Sequence, residues 1–218
     1  ALLSHSFYFF SFFLSGIFAK KILNLLIKNE IFSNIFLVFY LLYPYLLGHG
    51  FYNPKDVPFL CVWLLCTYLS IKIFLHLSEN KNIDFINIIF LSVSTAFLFS
   101  IRVSGILILF QYLIMFLISW GISGKTLFEI IKLYLIKVFF FFFLIFLFTF
   151  LLYPVFWENP LLIYDSINQM RNIPYGVCTL TLGNCMDSLN LPSSYIFIWL
   201  FFKLPLLSLI GFCFFPLV

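Results

Sequence analysis

Charge is what this sequence has least of: 9% of its 218 residues are Asp, Glu, Lys or Arg, against 64% hydrophobic residues. The mean hydropathy is +1.13. A water-soluble fold must cover its core with polar side chains, and 12 Lys and Arg with 8 Asp and Glu cannot do so over 25.7 kDa. The scarcity excludes a soluble enzyme, a nucleic-acid binder and a disordered chain. Motifs of soluble catalysis are also missing: there is no Walker loop, Rossmann glycine pattern, nucleophile elbow or zinc-peptidase motif, and no Asn-X-Ser/Thr sequon. His5, His49 and His76 are too scattered to suggest a metal site. No internal repeat or heptad is visible. What remains is an all-α integral membrane protein.

Long apolar runs are plentiful. A spanning helix needs about 20 mostly apolar residues, with about 17 as a lower limit. That length finds about seven segments: Leu2 to Ala19, Ile31 to Leu47, Val57 to Leu77, Phe85 to Ile101, Val103 to Trp120, Leu133 to Leu152 and Tyr195 to Phe215. The fourth and fifth must form a tight hairpin with Arg102 at its tip, because one straight helix through both would be about twice the bilayer thickness. Residues 1–218 read as a single polytopic membrane domain, with 153–194 as one long extracytoplasmic loop. Lys20 and Lys21 follow the first apolar run rather than precede it, which argues against a cleaved signal peptide. The apolar start at Leu2 and the abrupt end at Val218 suggest a fragment of a longer protein.

Orientation follows from the basic residues, which accumulate in cytoplasmic loops. One alternate set of loops holds Lys20, Lys21, Lys28, Lys72, Lys81, Lys125, Lys132 and Lys137, and the other holds only Lys55, Arg102 and Arg171. Eight against three places the first set inside. The N-terminus, the Gly48 to Asp56 turn, Arg102 and the 153–194 loop then share the outer face. Lys203, inside the last segment, either snorkels to the outer interface or bonds a carbonyl freed by Pro205. The Phe139 to Phe143 run is apolar filler facing lipid or other helices.

Outer-face polar residues gather in three places. Between Tyr43 and Pro58, two glycines and three prolines predict an irregular backbone carrying His49, Asn53, Lys55 and Asp56. Asp56 reads either as the N-cap of the next helix or as part of an acidic and basic pair with Lys55 at a substrate cavity. Arg102 reads either as an interfacial anchor or as a planar cation for a phosphate. The third place is Tyr153 to Pro160, with Trp157 and Glu158, where Asn159 and Pro160 open a short interfacial helix striped by Leu162, Ile163, Ile167 and Met170. Cys61, Cys66 and Cys213 fall in membrane segments as small apolar residues, while Cys178 and Cys185 in the outer loop are disulfide candidates.

The stretch Gly48-His49-Gly50-Phe51-Tyr52-Asn53-Pro54-Lys55-Asp56-Val57-Pro58-Phe59 resembles the "GHSFFNPKDIPF" stretch of GT-C superfamily membrane glycosyltransferases related to protein O-mannosyltransferases and lipid A aminoarabinose transferase. Arg102-Val103-Ser104-Gly105 resembles their Arg/Lys-x-x-Gly hairpin, and Pro154 to Pro160 resembles their "P-x-x-W-x-N-P" loop. Leu191 to Trp199 with Lys203-Leu204-Pro205 resembles "LPWxYxPxWxxxKTP", so the likeness runs over about residues 40 to 210. It departs at Gly183-Asn184-Cys185-Met186, where a Gly-Glu or Gly-Lys pair is expected.

The resemblance implies part of a GT-C fold, in the inner membrane of a bacterium, that moves a sugar from a polyprenyl-phosphate carrier to a protein or lipid acceptor on the outer face. It implies substrate contacts for His49, Asn53, Lys55, Arg102, Trp157, Glu158 and Arg171, with Asp56 in a supporting catalytic role. The principal catalytic carboxylate is expected in a first outer loop ahead of Ala1. No cofactor follows from it beyond the lipid-linked sugar, a divalent metal is left open, and no nucleic-acid partner is expected. Two other classes compete: a multi-pass transporter or lipid flippase, which should carry ionisable residues near the midplane, and a non-catalytic membrane subunit.

Overall fold

The computed structural model describes residues 2–159, 161, 162, 164, 165, 168, 176–181 and 183–203. Their helices are α1 (Leu2–Ile27), α2 (Glu30–Leu42), α3 (Pro44–Tyr52), α4 (Asp56–Ser78), α5 (Phe85–Ile101), α6 (Leu107–Ser123), α7 (Leu127–Leu152), α8 (Val155–Glu158) and α9 (Tyr195–Lys203). Local chemistry sets several of the ends. Asn29 accepts from the Phe32 N–H to start α2. Thr126 and Glu129 form a reciprocal capping box at the start of α7. Gly124, at φ +68°, closes α6 in the left-handed region.

Four helical spans are long and apolar enough to cross a membrane: Leu3–Ile27, Asp56–Ser78, Val103–Ser123 and Ile131–Leu152. The chain is thus a mostly helical, multi-pass membrane protein, but seven straight spans are not what the described residues contain. The expected Ile31 to Leu47 helix is broken at Tyr43-Pro44 into α2 and α3, bent by 60°. Pro44 cannot donate to the α2 ladder but fits the first position of a new helix. Alone, the 13 residues of α2 reach about 20 Å, less than the hydrocarbon thickness, so only the bent pair together passes as a fifth span. Phe85–Ile101, at 17 residues, sits at the lower length limit. Of the expected last span, only α9 lies within the described residues. The first helix runs past Ala19 through Lys20 and Lys21 to Ile27.

The residues form two compact units, Ala1–Pro160 and Leu161–Val218. In the first, α4 is the central helix and packs on α1, α5 and α6, while α7 packs on α5 and both α2 and α3 pack on α1. Small hydroxyl residues share its interior with apolar side chains such as Phe12, Leu98 and Ile108, while large apolar residues cover its outside. Ser11, Ser15, Ser33, Ser70, Ser92 and Thr95 are buried, whereas Phe39, Phe110, Ile136 and Phe139 are among the exposed residues. Lipid tails are as apolar as leucine, so helices associate through small residues that allow close approach and through interhelical hydrogen bonds. Ser15 and the Tyr40 hydroxyl are 2.8 Å apart between α1 and α2. Gln111 of α6 accepts from Trp63 Nε1 at 3.1 Å and donates to Thr67 Oγ1 at 2.9 Å, both on α4. Thr95 and Tyr112 join α5 to α6 at 2.9 Å.

In the second unit, Cys178–Thr181 (β1) and Asn184–Asp187 (β2) form an antiparallel hairpin, so the chain is not wholly helical. Gly183 turns the hairpin at φ +83°. Cys178 and Cys185 are disulfide-bonded, with Cα atoms 5.4 Å apart. The interfacial helix expected from Leu161 to Met170 falls mostly outside the described residues, as do Arg171, Cys213 and the side chain of Lys203.

Candidate functional site at the Arg102 end of the helices

The Tyr43 to Pro58 stretch is more regular than its glycines and prolines suggest. Residues from Pro44 to Tyr52 are helical, and Gly50 permits it by packing on α1, where an added Cβ would lie 3.0 Å from the Phe12 ring. The chain leaves the helix at Asn53, extended at φ −91° and ψ 103° as a residue before proline must be. Asn53 Oδ1 then accepts from the N–H groups of Lys55 at 3.2 Å and Asp56 at 2.9 Å. Asp56 is therefore not the N-cap of α4. It is the first helical residue, and the asparagine oxygen reaching across Pro54 satisfies amides that the helix start leaves unpaired.

This frees the Asp56 carboxylate for other partners. Its Oδ2 accepts from Asn53 Nδ2 at 3.0 Å, and its Oδ1 accepts from Arg102 of the α5–α6 hairpin, 46 residues away in sequence. Asn53 Nδ2 also lies 3.1 Å from His49 Nδ1. An amide nitrogen is only a donor, so His49 accepts there and its ring proton sits on Nε2. The His49 ring is flanked by Tyr45 and Tyr52, with centroids 4.5 and 5.3 Å away. His49, Asn53, Asp56 and Arg102 thus form one continuous polar chain across two segments. Its ion pair is half-exposed, at 57% for the Asp56 side chain and 48% for Arg102.

Arg102 is held from several sides. Its backbone is extended at φ −152°, and its carbonyl accepts from the Gly105 N–H at 2.9 Å. Gly105 is buried, and a Cβ there would lie 3.0 Å from the Leu98 carbonyl oxygen, so the hairpin closes tightly only with glycine. The guanidinium carbon lies 6.0 Å from the Phe59 ring centroid. Beside it, the Tyr153 hydroxyl donates to the carbonyls of Phe99 and Ser100 at 3.3 and 3.1 Å and ties the end of α7 to the end of α5. Burial raises the Tyr153 phenol above its ordinary range. His5 Nδ1 donates to the Phe51 carbonyl at 2.6 Å and ties the start of α1 to the end of α3.

Other expected residues stand apart. Lys55 is exposed and makes no ion pair among the described residues. Trp157 Nε1 donates to the Phe150 carbonyl at 2.8 Å, so the indole caps α7. Glu158 is exposed at the end of α8. Among the described residues, no three His, Cys, Asp or Glu side chains come close enough to hold a metal. Phe59 and Tyr153 have roles that hydropathy did not suggest, although Phe59 sits one turn along α4 from Asp56.

The arrangement offers an anion one oriented guanidinium. Asp56 takes a single Arg102 nitrogen, and among the described residues the other four guanidinium N–H donors have no hydrogen-bond acceptor. Both Asp56 oxygens accept a hydrogen bond, one from Asn53 and one from Arg102, so the carboxylate holds Arg102 in place. An open, largely apolar groove of about 690 Å³, lined by His5, Ser6, Phe9, Phe10, Phe13 and Phe51, runs along α1 and the end of α3. No family model, curated protein or solved structure matches this chain.

Proposed function

We propose that the chain is part of a GT-C-type membrane glycosyltransferase located in a bacterial inner membrane. It moves a sugar from a polyprenyl-phosphate carrier to a protein or lipid acceptor on the outer face. The observation that carries this reading is the Asn53–Asp56–Arg102 cluster. It aims a planar phosphate-binding cation at the end of the helices that is poor in lysine, from two of the segments that carry the GT-C resemblance. The disulfide between Cys178 and Cys185 agrees with an oxidising compartment for the 153–194 loop.

In the proposed reaction the acceptor hydroxyl attacks the anomeric carbon, the bond from that carbon to the carrier phosphate breaks, and the phosphate leaves on the lipid. The acceptor proton goes to the principal carboxylate that the resemblance places ahead of Ala1, with Asp56 in a supporting role. Arg102 and Lys55 stabilise the negative charge that develops on the leaving phosphate. His49, Trp157, Glu158 and Arg171 are placed around the donor and acceptor by the resemblance alone. The groove along α1 suits an isoprenoid chain.

The test is sugar transfer by the complete protein. Removing a donor from a site of this kind costs about 2 to 4 kcal/mol of transition-state stabilisation. Arg102→Ala should therefore lower turnover by about a hundredfold or more at saturating donor, and Arg102→Lys should recover only part of it because the fork is lost. Wild-type turnover in Arg102→Ala would overturn the assignment. Absence of sugar transfer by the complete wild-type protein would instead favour the transporter and non-catalytic readings.

A further inference from the structure

A second feature lies at the opposite, lysine-rich end. Although α6 and α7 are consecutive, they do not pack along each other, because α6 rests on α4 and α7 rests on α5. The result is a lateral cleft of about 390 Å³. Leu113 and Phe116 of α6 form one wall, Val138 and Phe141 of α7 the other, and Phe74 and Leu91 are in its floor. Tyr112 lines it too, but its hydroxyl is turned to Thr95.

Water is a poor occupant, since a trapped water needs two to four polar partners and these walls offer almost none. A void at this depth would forfeit packing on every side. At the mouth stands Lys137. Its ammonium donates to Asn82 Oδ1 at 2.6 Å in the connection before α5, and lies 5.6 and 5.4 Å from the Phe85 and Tyr134 ring centroids. The stem thus lies along the cleft while the charge reaches the interface. The neighbouring Lys81 is paired with Glu79, whereas Lys137 makes no ion pair with a described residue.

We propose that this cleft holds an acyl chain of an anionic phospholipid from the leaflet at the lysine-rich end, with its phosphate on Lys137. Both halves of the site point to that occupant. An apolar helix from a second copy would fill the cleft but leave the ammonium without an anion, whereas a phospholipid supplies tail and phosphate together.

The experiment is native mass spectrometry of the full chain in mild detergent, equilibrated with equal amounts of dioleoyl phosphatidylglycerol and dioleoyl phosphatidylcholine. The wild type should retain one lipid and prefer phosphatidylglycerol by about fivefold, the value of one interfacial lysine. Lys137→Gln should keep a lipid without the preference, and Lys137→Arg should keep both. Leu113→Trp, which fills the cleft, should lose the lipid. Leu117→Trp, on α6 but outside the lining, should retain it and shows that a bulky residue on this helix is tolerated. Equal retention of the two lipids by the wild type, or retention undiminished by Leu113→Trp, overturns the proposal. Self-association that Leu113→Trp abolishes also overturns it, because a second copy would then occupy the cleft.

Discussion

Breaking the Asp56–Arg102 pair should barely change stability. The two side chains are 57% and 48% exposed, and exposed ion pairs contribute about 0.2 to 1 kcal/mol. Arg102 also loses its contact with Phe59, at 6.0 Å the outer limit of a cation–π interaction and worth about 0.5 kcal/mol. Arg102→Ala should therefore destabilise the fold by about 1 to 1.5 kcal/mol at most. Asp56→Asn keeps one oxygen for the Asn53 amide but turns an NH2 donor toward Arg102, so it loses the ion pair with the charge and, for so exposed a pair, should cost about 1 kcal/mol or less. The double variant should show a coupling below about 1 kcal/mol. Reversible unfolding in mixed micelles, with all four proteins compared at one ionic strength, measures each quantity. A coupling above about 3 kcal/mol would refute the reasoning, because it belongs to a buried pair whose separation strands a charge. The pair would then be structural, and the argument that it holds Arg102 ready for an anion would fail.

Asn53→Ala removes the acceptor for the Lys55 and Asp56 amides together with the Asp56 contact, and should cost about 1 to 2 kcal/mol in the same assay. Loss of stability no greater than for an exposed surface asparagine would contradict the capping role. Gly105→Ala pushes a Cβ to 3.0 Å from the Leu98 carbonyl, backbone that cannot swing away, and should destabilise by about 1 to 3 kcal/mol; an unchanged unfolding midpoint would show that the hairpin relaxes freely. For orientation, a membrane-impermeant thiol reagent should label Lys55→Cys in intact cells but reach Lys81→Cys and Lys125→Cys only after permeabilisation. Labelling of Lys81→Cys from outside would reverse the topology.

Helix limits were most legible where polar punctuation is dense. The expected Phe85 to Ile101 segment is α5 residue for residue, and Val57 to Leu77 falls one residue short of α4 at each end. Hydropathy sees no break between Phe39 and Leu47 because both arms of the bent pair are equally apolar, and the deciding feature is a single proline at a helix start. The hairpin carries little signal, because Thr181 pairs with Asn184 and the loop holds a single glycine, Gly183, between two four-residue strands. At the site, the sequence placed His49, Asn53, Asp56 and Arg102 at one end of the helices. It could not assign partners. A carboxylate before Val57-Pro58 looks like a cap until the Asn53 side chain is seen reaching over Pro54 to take the amides. The pairing of Asp56 with Arg102 depends on how α4 packs against α5, which local sequence does not encode.

The central claim, that the outer cluster recognises a lipid-linked phosphate, is tested most directly by binding of a polyprenyl phosphate to the purified chain, with the neutral polyprenol as reference. The account predicts that the phosphate form binds more tightly, that Arg102→Ala weakens it by about tenfold or more, as expected for losing a charged hydrogen bond of about 1.5 to 3 kcal/mol, and that polyprenol binding does not change. Equal binding of the two lipids, or phosphate binding indifferent to Arg102→Ala, would contradict it.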